Sequence, residues 1–131
     1  MIELSNSTTQ TIEPGAVALF DTTLLHTGCS ECHRKGTGVV SLNSRQNGNG
    51  CRPIYEITFV GNVESAATLV ISLGISDMPE TTMVATSGNM VVAHTFLGDC
   101  CDNFNTIAVK NNGDAAVTLS ANPSFTVKRI A

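Results

Sequence analysis

The chain predicts an all-β antiparallel sandwich, and three observations carry that prediction. Apolar residues alternate with polar ones over short runs, where a helix would repeat them at three and four. Turn-forming clusters separate the runs: Pro14-Gly15, Asn47-Gly48-Asn49-Gly50, Asp77-Met78-Pro79, Ser87-Gly88-Asn89 and Asn111-Asn112-Gly113-Asp114. Their Asn-Gly and Gly-Asp steps supply the positive φ that tight hairpins need. Charged residues make up only 14%, and Ser, Thr and Asn fill 38 of 131 positions. The surface is therefore rich in hydroxyls and amides and suited to facing a neighbouring subunit.

Taken in order, the first twelve residues read as an extended arm ahead of the domain, with Asn6-Ser7-Thr8 as a flexible polar stretch in the form of a glycosylation acceptor. Ala16–Phe20 and Gly38–Leu42 are apolar stretches without strict alternation. The clearest strand is 55–60, with Tyr55, Ile57 and Phe59 on one side and Glu56 and Thr58 on the other. The next, 68–73, turns Leu69, Ile71 and Leu73 inward. Met90–Leu97 is less regular. Strand 106–110 buries Ile107 and Val109, Ala116–Leu119 is short and apolar, and 124–128 buries Phe125 and Val127. With no repeat or composition break, residues 1–131 form one domain.

Length and composition narrow the functional classes. A hydrophobic fraction of 42% excludes an intrinsically disordered chain. The net charge of −4 and scattered basic residues argue against a nucleic-acid partner, which would need clustered Lys and Arg. The pairs Arg34-Lys35 and Lys128-Arg129 read as solvated faces. No apolar run approaches the ~20 residues of a membrane helix, so no membrane partner is expected. Met1 to Gln10 lacks the basic stretch and apolar core of a secretory signal, so synthesis and folding in a cytoplasm are expected.

Several segments carry a family resemblance. The succession Gly15-Ala16-Val17-Ala18-Leu19-Phe20-Asp21, then Gly28, then Gly36-Thr37-Gly38-Val39-Val40-Ser41-Leu42 resembles the opening strands of tumour-necrosis-factor/C1q-like jelly rolls of bacterial and phage surface proteins. Tyr55-Glu56-Ile57-Thr58-Phe59-Val60-Gly61-Asn62-Val63 is similar to that family's G-x-Y-x-I-x-F strand, and 107–111 and 124–130 to its closing strands. The chain departs from the pattern where Pro53 stands in place of the glycine two residues before the tyrosine. The resemblance implies a Greek-key jelly-roll sandwich of about ten short strands, assembled as a homotrimer that binds or decorates and seldom catalyses. It makes Tyr55, Ile57, Phe59, Phe125 and Val127 the core and trimer strands.

The sharpest chemical string is Cys29-Ser30-Glu31-Cys32-His33. As C-x-x-C-H it has the form of a c-type haem attachment site, but a chain without Trp and with few aromatics offers little for a haem pocket. Zinc is the better alternative: Cys29 and Cys32 have the spacing for one tetrahedral ion, completed by His33 or by Cys100 or Cys101. Only one such pair is present, where strong zinc signals have two. The expectation is no cofactor, with the five cysteines buried as small hydrophobes or pairing; Cys29–Cys32 and Cys29–Cys51 bridges stay open as alternatives. Asp99, Asp102 and Asp114 read as solvated turn residues, with calcium the competing reading.

Catalysis finds no motif. His26, His33 and His94 are scattered, no G-x-S-x-G occurs, and Gly48-Asn49-Gly50 lacks the lysine and helix of a phosphate loop. His94, inside an apolar run, reads as a core or interface residue. No enzyme is expected. A display module without an export signal or collagen-like stalk most simply reaches the outside on a virus. The expected function is a homotrimeric capsid decoration or head-fibre unit on a phage virion surface, with the major capsid protein or other virion proteins as partners. The alternative is a bacterial cell- or spore-surface module that binds a carbohydrate or protein ligand. Val70, Val91 and Leu97 are the outward apolar residues expected at a subunit interface.

Overall fold

A computed structural model describes residues 1–28, 30–42, 53–98 and 105–131. Twelve antiparallel strands and no helix occur among them. In chain order they are β1 (Ile2–Ser5), β2 (Gln10–Ile12), β3 (Thr22–His26), β4 (Glu31–His33), β5 (Val40–Leu42), β6 (Ile54–Val63), β7 (Ala67–Leu73), β8 (Ser76–Ala85), β9 (Gly88–Leu97), β10 (Asn105–Asn111), β11 (Val117–Leu119) and β12 (Ser124–Arg129).

One sheet has seven strands, in the order β2-β11-β6-β12-β1-β3 with β9 also paired to β6; the other runs β4-β5-β10-β7-β8. The 55–60 run is the middle of the longer β6. This strand pairs with β9 from Ile54↔Leu97 to Val63↔Gly88, and with β12 from Tyr55↔Arg129 to Val60↔Ser124. Alternation continues through it: Tyr55, Ile57, Phe59 and Val63 are buried, while Glu56, Val60 and Asn62 are exposed. The core between the sheets centres on aromatic contacts. Phe125 stacks on Phe20 at 5.4 Å and meets the Phe59 edge at 6.3 Å, while Tyr55 stacks on Phe96 at 5.6 Å.

Residues 1–12 do not extend as an arm. β1 lies between β12 and β3, β2 pairs with β11, and Ile2, Leu4 and Ile12 are core residues. Asn6 is buried with its amide donating to Thr8 O at 2.8 Å, so Asn6-Ser7-Thr8 is an anchored turn. The apolar Ala16–Phe20 stretch is not a ladder strand. Val17 makes an isolated bridge to Lys110, Ala18 N donates to Val109 O, and Phe20 exchanges backbone hydrogen bonds with Gly36 and Thr37. Gly38 permits this crossing: a Cβ there would stand 2.1 Å from Ala18 O.

Asp77-Met78-Pro79, expected as a turn, lies within β8. The true turn is Gly74-Ile75, where Gly74 adopts φ +61°. β8 pairs with β7 at Leu69↔Met83 and again at Ile71↔Met78, so the residues between 78 and 83 bulge from this edge strand. A bulge on an edge is where a strand tolerates proline. The interrupted ladder is repaired by Thr81, fully buried, whose Oγ1 accepts from Ile71 N at 2.9 Å and donates to Met78 O at 2.7 Å.

Candidate interaction surfaces

The outward side of β6 and β9 carries exposed apolar residues among polar ones. Val60 and Val91 are register partners and stand 41% and 61% exposed, with Leu97 at 53% and Ala93 between them. Polar neighbours Glu56, Thr58, Asn62, Asn89 and Thr95 share this side, with Glu56 and Thr95 between the valine pair and Leu97. Tyr55, Ile57, Phe59, Phe125 and Val127 are fully buried against the opposite sheet, so they build the core and leave any subunit contact to the residues alternating with them. Val70 is not an interface residue: it is 1% exposed. It sits opposite Lys110, whose ammonium reaches Asp77 at 3.2 Å across the outer face of the second sheet.

The Cys29-to-His33 string opens into β4. Cys29, Cys51, Cys100 and Cys101 lie outside the described residues, as do Asp99 and Asp102. Cys32 is exposed, whereas the His33 ring turns inward onto the edge of Phe20, since neighbouring strand residues point to opposite faces. Cys32 and His33 therefore do not converge on one ion. His33 Nε2 lies 2.8 Å from Thr37 O, and its buried Nδ1 has no partner among the described residues. No group of three or more His, Cys, Asp or Glu able to hold a metal occurs among those residues. The other histidines are separated as well: His26 Nε2 bonds Glu31 O at 2.8 Å, and His94 is half-buried on the Met90–Phe96 side of β9.

Two carboxylates organise loops. Asp21 accepts from Ser7 N at 2.9 Å, from the Ser7 hydroxyl at 2.5 Å and from the Thr22 hydroxyl at 2.7 Å. These bonds, the Ser7 side chain foremost, hold its carboxyl below the usual aspartate value. Glu31 was legible only as part of a cysteine motif, yet its side chain is wholly buried. It accepts from Arg129 N at 2.7 Å and pairs with the Met1 ammonium at 2.7 Å, tying β4 to the seven-stranded sheet.

At the end of the sandwich away from Glu31, an open groove of about 260 Å³ is lined by Ala66, Ala67, Val84, Ala85, Ala115 and Asp114, among others. Asn111 shapes one wall. It is fully buried, with Nδ2 donating to Ile12 O and Ala115 O at 2.9 Å each and Oδ1 accepting from Gly113 N at 2.9 Å. Sequence patterning marked this segment only as a turn.

Comparison with solved structures places this architecture in one class. The globular domain of zebrafish complement 1qA superposes with a TM-score of 0.71 at 11% identity, covering 99% of this chain and 96% of that one. PRD1 vertex protein P5, a phage protein, superposes at 0.64 with 17% identity and the same coverage. The chain thus has the tumour-necrosis-factor/C1q-like jelly-roll fold. These neighbours are structural or recognition proteins and not enzymes. No family model and no curated protein sequence matches the chain.

Proposed function

We propose that the protein is a structural virion unit of a phage, a homotrimer that decorates the capsid or forms part of a head fibre. The observation that carries this reading is the set of exposed apolar residues on the outward face of β6 and β9. Val60 and Val91 face each other on the side of the sheet that the chain's own core does not use, and Leu97 lies on the same side about 20 Å further along β9. Three copies related by a closed three-fold would bury that face, and three equivalent attachment points would then hold the particle with avidity. The likeness of the fold to a phage vertex protein supports the setting on a virion. No catalytic, cofactor or nucleic-acid role enters this reading.

Light scattering on the purified protein is expected to give three times the chain mass, and Val91→Lys is expected to give the monomer with its β spectrum intact. A native protein that is monomeric at micromolar concentration would refute the trimer. Attachment is tested by sedimenting intact particles: the protein should travel with them. A C1q-like surface module is the second reading, favoured by the complement-domain likeness. It would show itself by binding a glycan or bacterial surface in the absence of particles.

A further inference from the structure

An asparagine followed by glycine is chemically self-reactive, because glycine has no side chain to keep its own amide nitrogen away from the preceding carboxamide. The chain has three such steps, Asn47-Gly48, Asn49-Gly50 and Asn112-Gly113. The last lies among the described residues, and Asn112 is exposed to water. In the reaction the Gly113 nitrogen attacks Cγ of Asn112. A new N–Cγ bond forms, the Cγ–Nδ2 bond breaks, and ammonia leaves with the proton given up by the glycine amide. Water then opens the succinimide at either carbonyl, to aspartate or isoaspartate, and nothing is oxidised or reduced.

The fold opposes the first step at its nucleophile. Gly113 N donates to Asn111 Oδ1 at 2.9 Å, and Asn112 N donates to Thr68 O at 3.0 Å, so the backbone is held on both sides of Asn112. The Asn111 carboxamide cannot turn away. Its Nδ2 donates to Ile12 O and Ala115 O, which leaves Oδ1 facing Gly113. An amide nitrogen attacks only after shedding its proton, and a bond to an acceptor stabilises the protonated form. Movement of the nitrogen onto Cγ also requires that bond to break.

We propose that Asn112 is a latent deamidation site and that the buried Asn111 is the positioning residue that keeps it unreacted in the folded protein. Release of the site would place a new carboxylate next to Gly113 and Asp114, which line the groove. The isoaspartate product would also lengthen the main chain there by a methylene.

Peptide mapping by mass spectrometry at mildly alkaline pH, with an isoaspartate methyltransferase as second readout, tests this. In urea Asn112 is expected to react as fast as Asn47 and Asn49. In the folded protein it should be slower by about 10-fold or more, the factor that one lost hydrogen bond imposes on a rate. Asn111→Ala should recover most of that difference while still folded. Phe96→Ala, a core truncation beside Tyr55 at the other end of the sandwich, controls for lowered stability and should leave Asn112 near its native rate. Adding Gly113→Ala to Asn111→Ala should slow the reaction again, since a Cβ crowds the attack; the position has room for it, the nearest atoms standing 3.4 and 3.6 Å away. Amide exchange at Gly113 needs no variant and should be slowed in the native protein. The inference fails if Asn112 reacts as fast folded as in urea, if Asn111→Ala is no faster than native, or if Phe96→Ala accelerates it equally. A double variant as fast as Asn111→Ala, or a Gly113 amide that exchanges as in an unfolded chain, would overturn it as well.

Discussion

Replacing Asn111 by alanine removes three hydrogen bonds at once. The side chain is fully buried and bonds Ile12 O, Ala115 O and Gly113 N, each at 2.9 Å. The Ile12 carbonyl bond is buried, so losing its donor costs about 1–3 kcal/mol of unrepaid desolvation. The other two bonds are partly buried, and water can replace them at about 0.5 kcal/mol each. The sum is about 2–4 kcal/mol, a large share of the roughly 5–15 kcal/mol that holds a typical domain together. At about 4 °C per kcal/mol the midpoint should fall by roughly 8–16 °C. Urea unfolding of Asn111→Ala should show a lower midpoint with the slope unchanged. Asn111→Asp keeps the shape but turns a carboxylate toward two carbonyl oxygens, and at neutral pH it should be less stable than the alanine variant. A loss below about 1 kcal/mol for Asn111→Ala, or an Asp variant as stable as the native protein, would refute the assignment of Asn111 as the clamp of this end.

Gly38→Ala should lose about 3 kcal/mol in denaturant unfolding, because its Cβ would collide with the Ala18 carbonyl, a backbone atom that cannot rotate away. Thr81→Val keeps the volume but removes the hydroxyl that serves Ile71 N and Met78 O; a loss of about 1–3 kcal/mol is expected, with Thr81→Ser close to native. Asp21 has its carboxyl lowered from 3.8, so its contribution is present above that pH and is lost as pH falls through the lower folded value. The midpoint difference between native and Asp21→Asn should therefore be constant near neutrality and close in acid below 3.8. A difference that widened on acidification would contradict the bonding seen at Ser7 and Thr22.

Much of the architecture was legible because its signal is local. A strand with one face on the core must alternate, so Tyr55, Ile57 and Phe59 were assigned inward from the pattern alone, as were Phe125 and Val127. The resemblance carried by the Tyr55-to-Val63 segment named the jelly roll, and the superpositions bear that out. β8 escaped because its alternation is broken by the bulge around Pro79, and a bulge is permitted only by its place at a sheet edge. The N-terminal residues read as an arm because Ile2 and Leu4 are too few to announce a strand; pairing with β12 and β3 makes them one.

The candidate surfaces divide in the same way. Alternation puts Val60, Val91 and Leu97 outward, and they are exposed. It also puts Val70 outward, but the Lys110–Asp77 pair, drawn from two other strands, lies across that face. The burial of Glu31, the clamp at Asn111 and the groove beside it depend on residues far apart in the chain. The amino-acid order by itself determined the strand period, the core residues and hence the all-β class, since each follows from neighbours two residues apart. Only the tertiary structure decided which outward faces stay open to a partner, because that depends on what the rest of the chain lays over them.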